Sequence, residues 1–481
     1  MIEMSLAEIA AVTGGRLHRA TGAERVTAVE FDSRAIRPGG LFLALPGERA
    51  DGHDFAAAAV AAGAAGVLAA REVDAPAVVV PAAAPAATTP LAGSYLAGAD
   101  PDGSGAAVLA ALAALARHAV AALPALSIVG VTGSSGKTST KDLLAAVLAP
   151  LGPTVAPPGS FNNELGHPWT VLTAGPDTRH LVLELSARGP GHIAALCAVA
   201  PPRIGVVLNV GRAHLGEFGS AEAIARAKGE LVEALPADGV AVLNVDDPVV
   251  TAMAARTAAR VVTVGRSPDA TVRAQDVRLD SGRARFRLTA PSGAVDVALR
   301  LVGEHHVGNA LAAAAVGLEL GASPAAVAAA LSVSETVSRW RMEVTDRRDG
   351  VTVVNDAYNA NPESMQAALR ALAAIGAGRR RTWAVLGRMA ELGEQSAAVH
   401  AEIAGLAAEL GVDRLIAVGE TAYGDRARQV PDPAAALSLL RAELRPGDVV
   451  LVKASRAVGL DRVATALLPP HEEQENELVS R

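Results

Sequence analysis

Near the middle of the chain, Gly133-Ser134-Ser135-Gly136-Lys137-Thr138-Ser139 separates an apolar run, residues 128–131, from a segment with Leu143, Leu144, Val147 and Leu148 at helical spacing. The run reads as a buried strand and the segment as a helix stopped by Pro150. A strand that feeds a loop of small residues and then a helix start aims several backbone N–H groups at one point, where the helix dipole adds positive charge. Lys137 contributes a full charge, and the Thr138 hydroxyl can take a place on Mg²⁺. This is chemistry for holding a nucleoside triphosphate. The order strand, loop, Lys-Thr, helix favours that reading over a plain Gly-rich turn, although the general phosphate-loop pattern wants a glycine where Val131 stands.

Other candidates carry less weight alone. Glu184 closes a second apolar run, residues 180–185, and a carboxylate there suits Mg²⁺, a hard cation that takes oxygen ligands. A single histidine such as His214 is more often structural than a ligand. Lys228 reads by itself as an exposed helical lysine, and the pair Asn162-Asn163 as a turn.

These residues need a large scaffold. With 481 residues, the chain is too long for one ordinary core and predicts about three domains. Hydrophobic residues make up 51%, but aromatics only 2%, so the cores must be built from Val, Leu and Ala. A net charge of −7 without a basic run argues against a nucleic-acid partner. The single cysteine, Cys197, excludes an internal disulfide and suits a reducing compartment. The first residues lack the basic start of a secretory signal. Residues 55–70 and 108–123 look membrane-like at a glance, but the first is mostly alanine with two glycines and the second is broken by Arg117 and His118. The expectation is a cytoplasmic protein without membrane insertion.

In chain order, residues 1–80 predict a small α/β unit. Ser5 caps a helix that ends at Gly14-Gly15, strands follow at 26–31, 41–45 and 78–80, and a helix covers 55–62. Residues 81–106 read as linker, and 108–123 as a helix. Near-continuous apolar runs at 128–131, 180–185, 204–210, 240–245 and 261–264 predict a parallel sheet covered on both faces, with ligands at the strands' carboxyl ends. Residues 277–302 alternate like an antiparallel meander. Runs at 351–354, 382–386, 415–418 and 449–452 predict a second Rossmann-like sheet without a phosphate fingerprint. The charged tail after Leu468 reads as disordered. The fold class is thus α/β with three domains, residues 1–106, 107–332 and 333–481.

Read together, the polar segments resemble the Mur ligase family. The resemblance rests on Asp32-Ser33-Arg34 with Gly47-Glu48-Arg49-Ala50-Asp51-Gly52-His53, on the phosphate loop, and on Asn162-Asn163-x-x-Gly166-x-Pro168. It continues through Leu183-Glu184-Leu185-Ser186-Ala187-Arg188, Asn209-Val210-Gly211-x-Ala213-His214, Ala227-Lys228-Gly229, Gly303-Glu304-His305-His306 with Asn309, and Lys453-Ala454-Ser455-Arg456. The run Asp356-Ala357-Tyr358-Asn359-Ala360-Asn361-Pro362-Glu363-Ser364 resembles the branch that adds D-alanyl-D-alanine; the Asp-Asn-Pro-Arg signature of the sister that adds the diamino residue is missing. The sequence departs from the family pattern at Gly40, His306, Arg388 and Ala454.

The resemblance implies three domains: one for a UDP-muramoyl peptide, a central ATP-binding domain, and a Rossmann-like domain. It implies ATP-dependent ligation of D-alanyl-D-alanine to UDP-N-acetylmuramoyl-tripeptide through an acyl phosphate, in a monomeric enzyme of peptidoglycan synthesis. ATP would be held by Gly133, Ser134, Ser135, Gly136, Lys137, Thr138, Ser139, Asn309, Arg341 and Asp356. Ser33 and Arg34 would bind uridine or diphosphate, and Asn162 and Asn163 would lie near the acyl end of the peptide. Asn359, Asn361, Ser455 and Arg456 would also bind substrate, the last two holding the incoming dipeptide. Two Mg²⁺ would sit on Thr138, Glu184, His214 and a carbamylated Lys228. Lys137, His214, Lys228 and Arg341 would carry catalysis. A sister Mur ligase or a folylpolyglutamate-type ligase shares the ATP machinery; a non-catalytic ATP switch would not require Glu184, His214 and Lys228 together.

Overall fold

The computed structural model describes residues 1–47, 50–81, 100–212 and 215–468. The tail after Leu468, expected to be disordered, and most of the expected linker lie outside them, as does His214.

Three main sheets are strung along the chain. The first has five strands in the order Arg16–His18, Ala77–Val79, Gly66–Ala69, Gly40–Leu43, Ala28–Glu30, with only the first pair antiparallel. The expected N-terminal helix is Leu6–Thr13. Ser5 and Glu8 form its reciprocal capping box, and Gly14 ends it at φ 68°. Residues 26–31 split into two short strands, Arg25–Val26 and Ala28–Glu30. Gly66–Ala69 is an unpredicted strand, because its Gly-Val-Leu-Ala follows an alanine run without strand-like alternation.

The central sheet has nine strands. From one edge the order is Thr154–Val155, His180–Glu184, Ser127–Thr132, Ile204–Val207, Val240–Asn244, Arg260–Gly265, Val272–Asp280, Arg283–Ala290, Gly293–Val302. The chain is parallel up to the pairing of Arg260–Gly265 with Val272–Asp280, and antiparallel beyond. This matches the expected parallel sheet with an appended meander. The phosphate-loop strand lies between its neighbours in a register that sets Glu184 beside Val131 and Val207 beside Thr132. Three loops therefore leave the carboxyl edge side by side.

The helix expected at 108–123 spans Ser104–Ala121, starting inside the stretch read as linker. Gly103 precedes it at φ 75°, and the helix's first N–H groups are met by two upstream carboxylates: Asp100 accepts from Gly105 and Ala106 at 2.7 and 2.8 Å, and Asp102 from Ser104 at 3.1 Å. The helix is long and apolar enough to cross a membrane, yet its Leu109, Leu112 and Leu115 are buried in the protein. They join one core that runs from Leu6, Ile9 and Leu41 of the first unit to Leu181 and Leu231 of the second. Trp169 adds a polar tie: its indole N–H donates to the Val29 carbonyl at 2.9 Å, and Phe31 stands edge-on to its ring.

The third sheet has six strands, ordered Glu343–Asp346, Thr352–Asn355, Val449–Lys453, Thr382–Gly387, Arg414–Val418, Arg428–Val430; only the first pairs antiparallel. Both edge strands escaped sequence reading because they are short and largely polar. Separate apolar clusters cover its two faces. At the junction before this sheet, Trp340 and Met342 adopt φ 60° and 51°, a region that side chains disfavour, with Arg341 between them.

Candidate active site

The strand Ser127–Thr132 delivers the chain into Gly133, and the helix Lys137–Leu148 begins four residues later. Gly136 turns the corner at φ 85°, and a Cβ there would lie 2.6 Å from Asn309 Oδ1. Only glycine satisfies both conditions. Lys137 folds back so that its ammonium donates to the Gly133 carbonyl at 2.7 Å. Burial holds that ammonium below the usual lysine range; Glu184 and Glu391 oppose the shift and Arg341 reinforces it.

The loop is laced to its neighbour. Asn209 Oδ1 accepts from the Ser135 N–H at 3.0 Å, Asn209 Nδ2 donates to the Ser135 carbonyl at 3.2 Å, and the Gly211 N–H donates to Ser134 Oγ at 2.8 Å. Sequence reading gave Asn209 no role of its own, though its place just after a parallel strand was the available signal.

Glu184 is buried at the end of its strand. One carboxylate oxygen accepts from Ser160 Oγ at 2.9 Å and Asn162 Nδ2 at 3.3 Å, while the other is buried with no hydrogen-bond partner. An orphaned carboxylate oxygen costs free energy unless a cation or donor meets it. Mg²⁺, which keeps several waters and needs only one or two carboxylates, fits this donor set with the buried Thr138 at the loop's helix start. Among the described residues no group of three or more His, Cys, Asp or Glu side chains gathers around a point.

Lys228 is buried on the helix Ala221–Glu233. Burial moves its ammonium well below the usual range, the neighbouring Lys137 pushes the same way, and Glu363 opposes. Burial therefore disfavours the charged form there relative to a surface lysine. A plain surface lysine, the expectation from sequence position alone, is not what is found.

The third sheet closes over this edge. Asn361 caps the helix Pro362–Gly376 through its Oδ1 and donates from Nδ2 to the Ser134 carbonyl at 3.2 Å. The Arg212 N–H donates to Glu363 at 2.8 Å, and its guanidinium holds Glu402 at 3.0 and 3.1 Å. The Gly216 N–H donates to the Glu391 carbonyl at 3.0 Å. Behind this front, the Lys453 ammonium is buried between Asp356 Oδ2 at 2.5 Å and the Asn359 carbonyl at 2.9 Å. The other Asp356 oxygen accepts from the Met342 N–H at 3.0 Å. Arg341 stacks on Tyr358 at 4.0 Å with its Nε buried and unpartnered.

The three fronts enclose a cavity of about 710 Å³. Of the sequence candidates it gathers Ser134 through Ser139, Asn162, Asn163, Asn309, Arg341, Asp356, Asn359 and Asn361. Asn163 also has a structural task, accepting from the Leu165 and Gly166 N–H groups at the start of a helix. Asn309 is buried with its amide against the phosphate loop. Gly133, Glu184 and Lys228 stand just outside the lining, and Ser33, Arg34, Ser455 and Arg456 stand outside it as well. Ser33 and Arg34 lie on the first sheet's rim, where Arg34 is exposed and forks onto Asp32, drawing that carboxyl down to about 2. Ser455 is buried and accepts from the Ala390 N–H, and Arg456 stacks on Trp340 at 4.1 Å, one ring removed from Tyr358. Sequence reading missed Glu164, Glu391 and the helix face around Leu109, all of which line the cavity.

Three family models match the chain: Mur ligase family, catalytic domain, over residues 25–117; Mur ligase middle domain over 131–317; and Mur ligase, glutamate ligase domain, over 340–456. The chain belongs to the Mur ligase family. Within that family it is 59% identical to the UDP-N-acetylmuramoyl-tripeptide–D-alanyl-D-alanine ligase of Mycobacterium tuberculosis, across 97% of this chain and 98% of the relative. It is 34% identical to the ligase of the same name from Escherichia coli K12, across 97% and 99%. Among solved structures, MurF from Acinetobacter baumannii superposes with a TM-score of 0.81 at 29% identity, covering 97% of this chain and 98% of that one. MurF from Thermotoga maritima, in complex with ADP, gives 0.76 at 30% identity, covering 92% and 96%. The three-domain α/β architecture expected from sequence is that of these Mur ligases.

Proposed function

We propose that this chain is an ATP-dependent ligase that joins D-alanyl-D-alanine to UDP-N-acetylmuramoyl-tripeptide, yielding the pentapeptide precursor of peptidoglycan. The observation that carries the reading is the single cavity in which the phosphate loop, the Ser160–Asn162 segment beside Glu184, and the Asp356–Asn361 segment face one another. A nucleotide, a peptide end and an incoming amine all have walls there.

The tripeptide carboxylate attacks the γ-phosphorus of ATP, the bond to the β-phosphate oxygen breaks, and ADP leaves an acyl phosphate. The amine of D-alanyl-D-alanine then attacks the acyl carbon, the carbon–oxygen bond to phosphate breaks, and the nitrogen loses its extra proton. This chain supplies positioning and charge rather than a nucleophile. Lys137 and Arg341 face the charge that develops on the transferred phosphoryl group, and the helix start at Lys137–Thr138 cradles it. Asn309 reads the adenine, and Asn162 and Asn163 steer the acyl end. Ser33 and Arg34 take the UDP moiety; Ser455 and Arg456 guide the dipeptide along the rim. The closed contacts made by Asn361, Arg212 and Glu391 exclude water, which would otherwise hydrolyse the acyl phosphate.

Mg²⁺ would be held by Thr138 and Glu184, with a second ion on His214 and a carbamylated Lys228, and would neutralise phosphate charge when bound. Burial makes the neutral amine, the form that captures CO₂, easier to reach at Lys228 than on a surface lysine. We read the enzyme as cytoplasmic, since both substrates are polar, soluble molecules, and as a monomer.

Phosphate release from ATP tests the function. The ligase requires both the UDP-tripeptide and D-alanyl-D-alanine for release; release indifferent to either would overturn the reading in favour of an ATP-binding switch.

A further inference from the structure

The helix that starts at the phosphate loop carries a second pair of charges, which the chemistry above does not use. Lys141 and Asp142 lie about one turn past Lys137 and Thr138 on Lys137–Leu148. Lys141 is buried; its ammonium donates to the Pro157 carbonyl and holds Asp142 Oδ1 at 2.8 Å. The other oxygen, Asp142 Oδ2, accepts from the Ser338 N–H at 3.1 Å, across 196 positions of chain. Ser338 is buried too, and its hydroxyl oxygen accepts from the Gly159 N–H at 3.1 Å. Next to Gly159 is Ser160, whose hydroxyl donates to Glu184 at 2.9 Å.

Ser338 belongs to the connector between the second and third sheets. Val337 and Arg339 on either side of it are exposed, so Ser338 is the point at which this stretch turns into the protein. Arg341 follows three residues later, and the N–H after it, that of Met342, donates to Asp356 at 3.0 Å. Two carboxylates thus frame Arg341, each accepting a main-chain N–H: Asp142 on the nucleotide helix and Asp356 beside the third sheet. Hydrogen bonds to a charged acceptor are stronger than neutral ones. The bond to Asp356 makes the arginine travel with the third sheet, and the bond to Asp142 ties it to the phosphate loop.

Resting on the ligase reading above, we propose that Asp142 is a positioning residue: through Ser338 it sets where the Arg341 guanidinium meets the phosphoryl group in transfer. Asp142 and Ser338 do not line the cavity, whereas Arg341 does. Their effect therefore falls on the rate of phosphoryl transfer rather than on ATP affinity. A misplacement of about 1 Å at a reacting centre costs up to about a hundredfold in rate.

The test compares two substitutions in a Lys141→Met background, which leaves no ammonium stranded beside the altered residue. Asp142→Asn keeps an amide oxygen for the Ser338 N–H; Asp142→Ala removes it. Single-turnover formation of ADP, at saturating ATP with UDP-tripeptide and D-alanyl-D-alanine present, is expected to be at least about tenfold slower in Asp142→Ala than in Asp142→Asn. Kd for ATP should agree within about twofold between the two, since neither change touches the cavity. With Arg341→Met added, the pair should differ in rate by less than about twofold, because the acceptor then has no guanidinium to place. The comparison with Lys141 retained should give the same order, and it decides the matter if the double variants do not fold. Equal rates, a gap that survives without Arg341, or a loss that appears as weaker ATP binding would overturn the assignment and leave Asp142 a purely structural tether. A wild-type chain that forms no ADP with both substrates present would refute the ligase reading itself, a separate outcome.

Discussion

The Lys453–Asp356 pair offers the sharpest test of how the third sheet is held against the nucleotide edge. Lys453 is 2% exposed and Asp356 7%, and their charged atoms approach to 2.5 Å. Removing one partner of such a pair strands the other charge in a poor solvent, which destabilises by about 3–5 kcal/mol; replacing both by neutral groups of similar size is often close to neutral. Asp356→Asn keeps an oxygen for the Met342 N–H but leaves the ammonium unpaired, and Lys453→Met leaves the carboxylate with that N–H alone. Each single change should therefore weaken the third sheet by about 4 kcal/mol. With a urea slope of about 2 kcal/mol per molar, that is a midpoint about 2 M lower. The double change should fall by less than about 2 kcal/mol, which gives a coupling of several kcal/mol in a double-mutant cycle. Trp383, 1% exposed in the same sheet, reports the transition by fluorescence in a Trp169→Phe, Trp340→Phe background.

The pH dependence has a definite sign. Burial, the leading cause, holds the Lys453 ammonium below its ordinary value of 10.5, and Asp356 partly opposes it. Without Asp356 the ammonium falls further. Between that lowered value and 10.5 the unfolded chain binds more protons than the folded one, so stability of Asp356→Asn should rise with pH across this window. Single variants within 1 kcal/mol of wild type, or additive losses, would refute the account of a buried, mutually dependent pair.

Gly136→Ala should abolish measurable ATP binding, since φ 85° and a Cβ 2.6 Å from Asn309 displace the loop; isothermal calorimetry checks it. Arg212→Ala removes an ion pair that is partly exposed on both sides, worth up to about 1 kcal/mol, so KM for ATP should rise by no more than about fivefold while Tm changes little. Lys228→Ala should lose most ligase activity and regain some with added short carboxylates. Absence of rescue, with full wild-type activity at low CO₂, would count against a carbamate at this position.

Local features were legible in the sequence and long-range polar contacts were not. The strand, loop and helix around Lys137 are contiguous, so periodicity and glycine placement are enough to read them. Glu184 was legible because it ends an apolar run in a parallel sheet. The strand Gly66–Ala69 was lost in an alanine-rich stretch whose composition fits helix, strand or linker equally. The start of Ser104–Ala121 was lost although Asp100 and Asp102 cap its first N–H groups, because they sit four and two residues ahead of it in a Gly- and Pro-rich stretch that reads as linker. Lys453 was noticed within a motif, yet its partner stands 97 positions away, and the amide of Asn361 reaches across 227 positions to Ser134. Burial of Lys228 arises from elements that meet only in three dimensions, so its position on a helix suggested exposure instead.

Trp340 and Met342 both hold left-handed backbone angles on either side of Arg341, in the short connector that carries the whole third sheet. For residues with side chains that conformation is disfavoured by about 1 kcal/mol each. Contacts from the third sheet hold this conformation in place: Asp356 Oδ1 accepts from the Met342 N–H at 3.0 Å and the Trp340 carbonyl accepts from the Tyr358 N–H at 3.3 Å, so the connector that aims Arg341 takes its shape from the sheet it leads into.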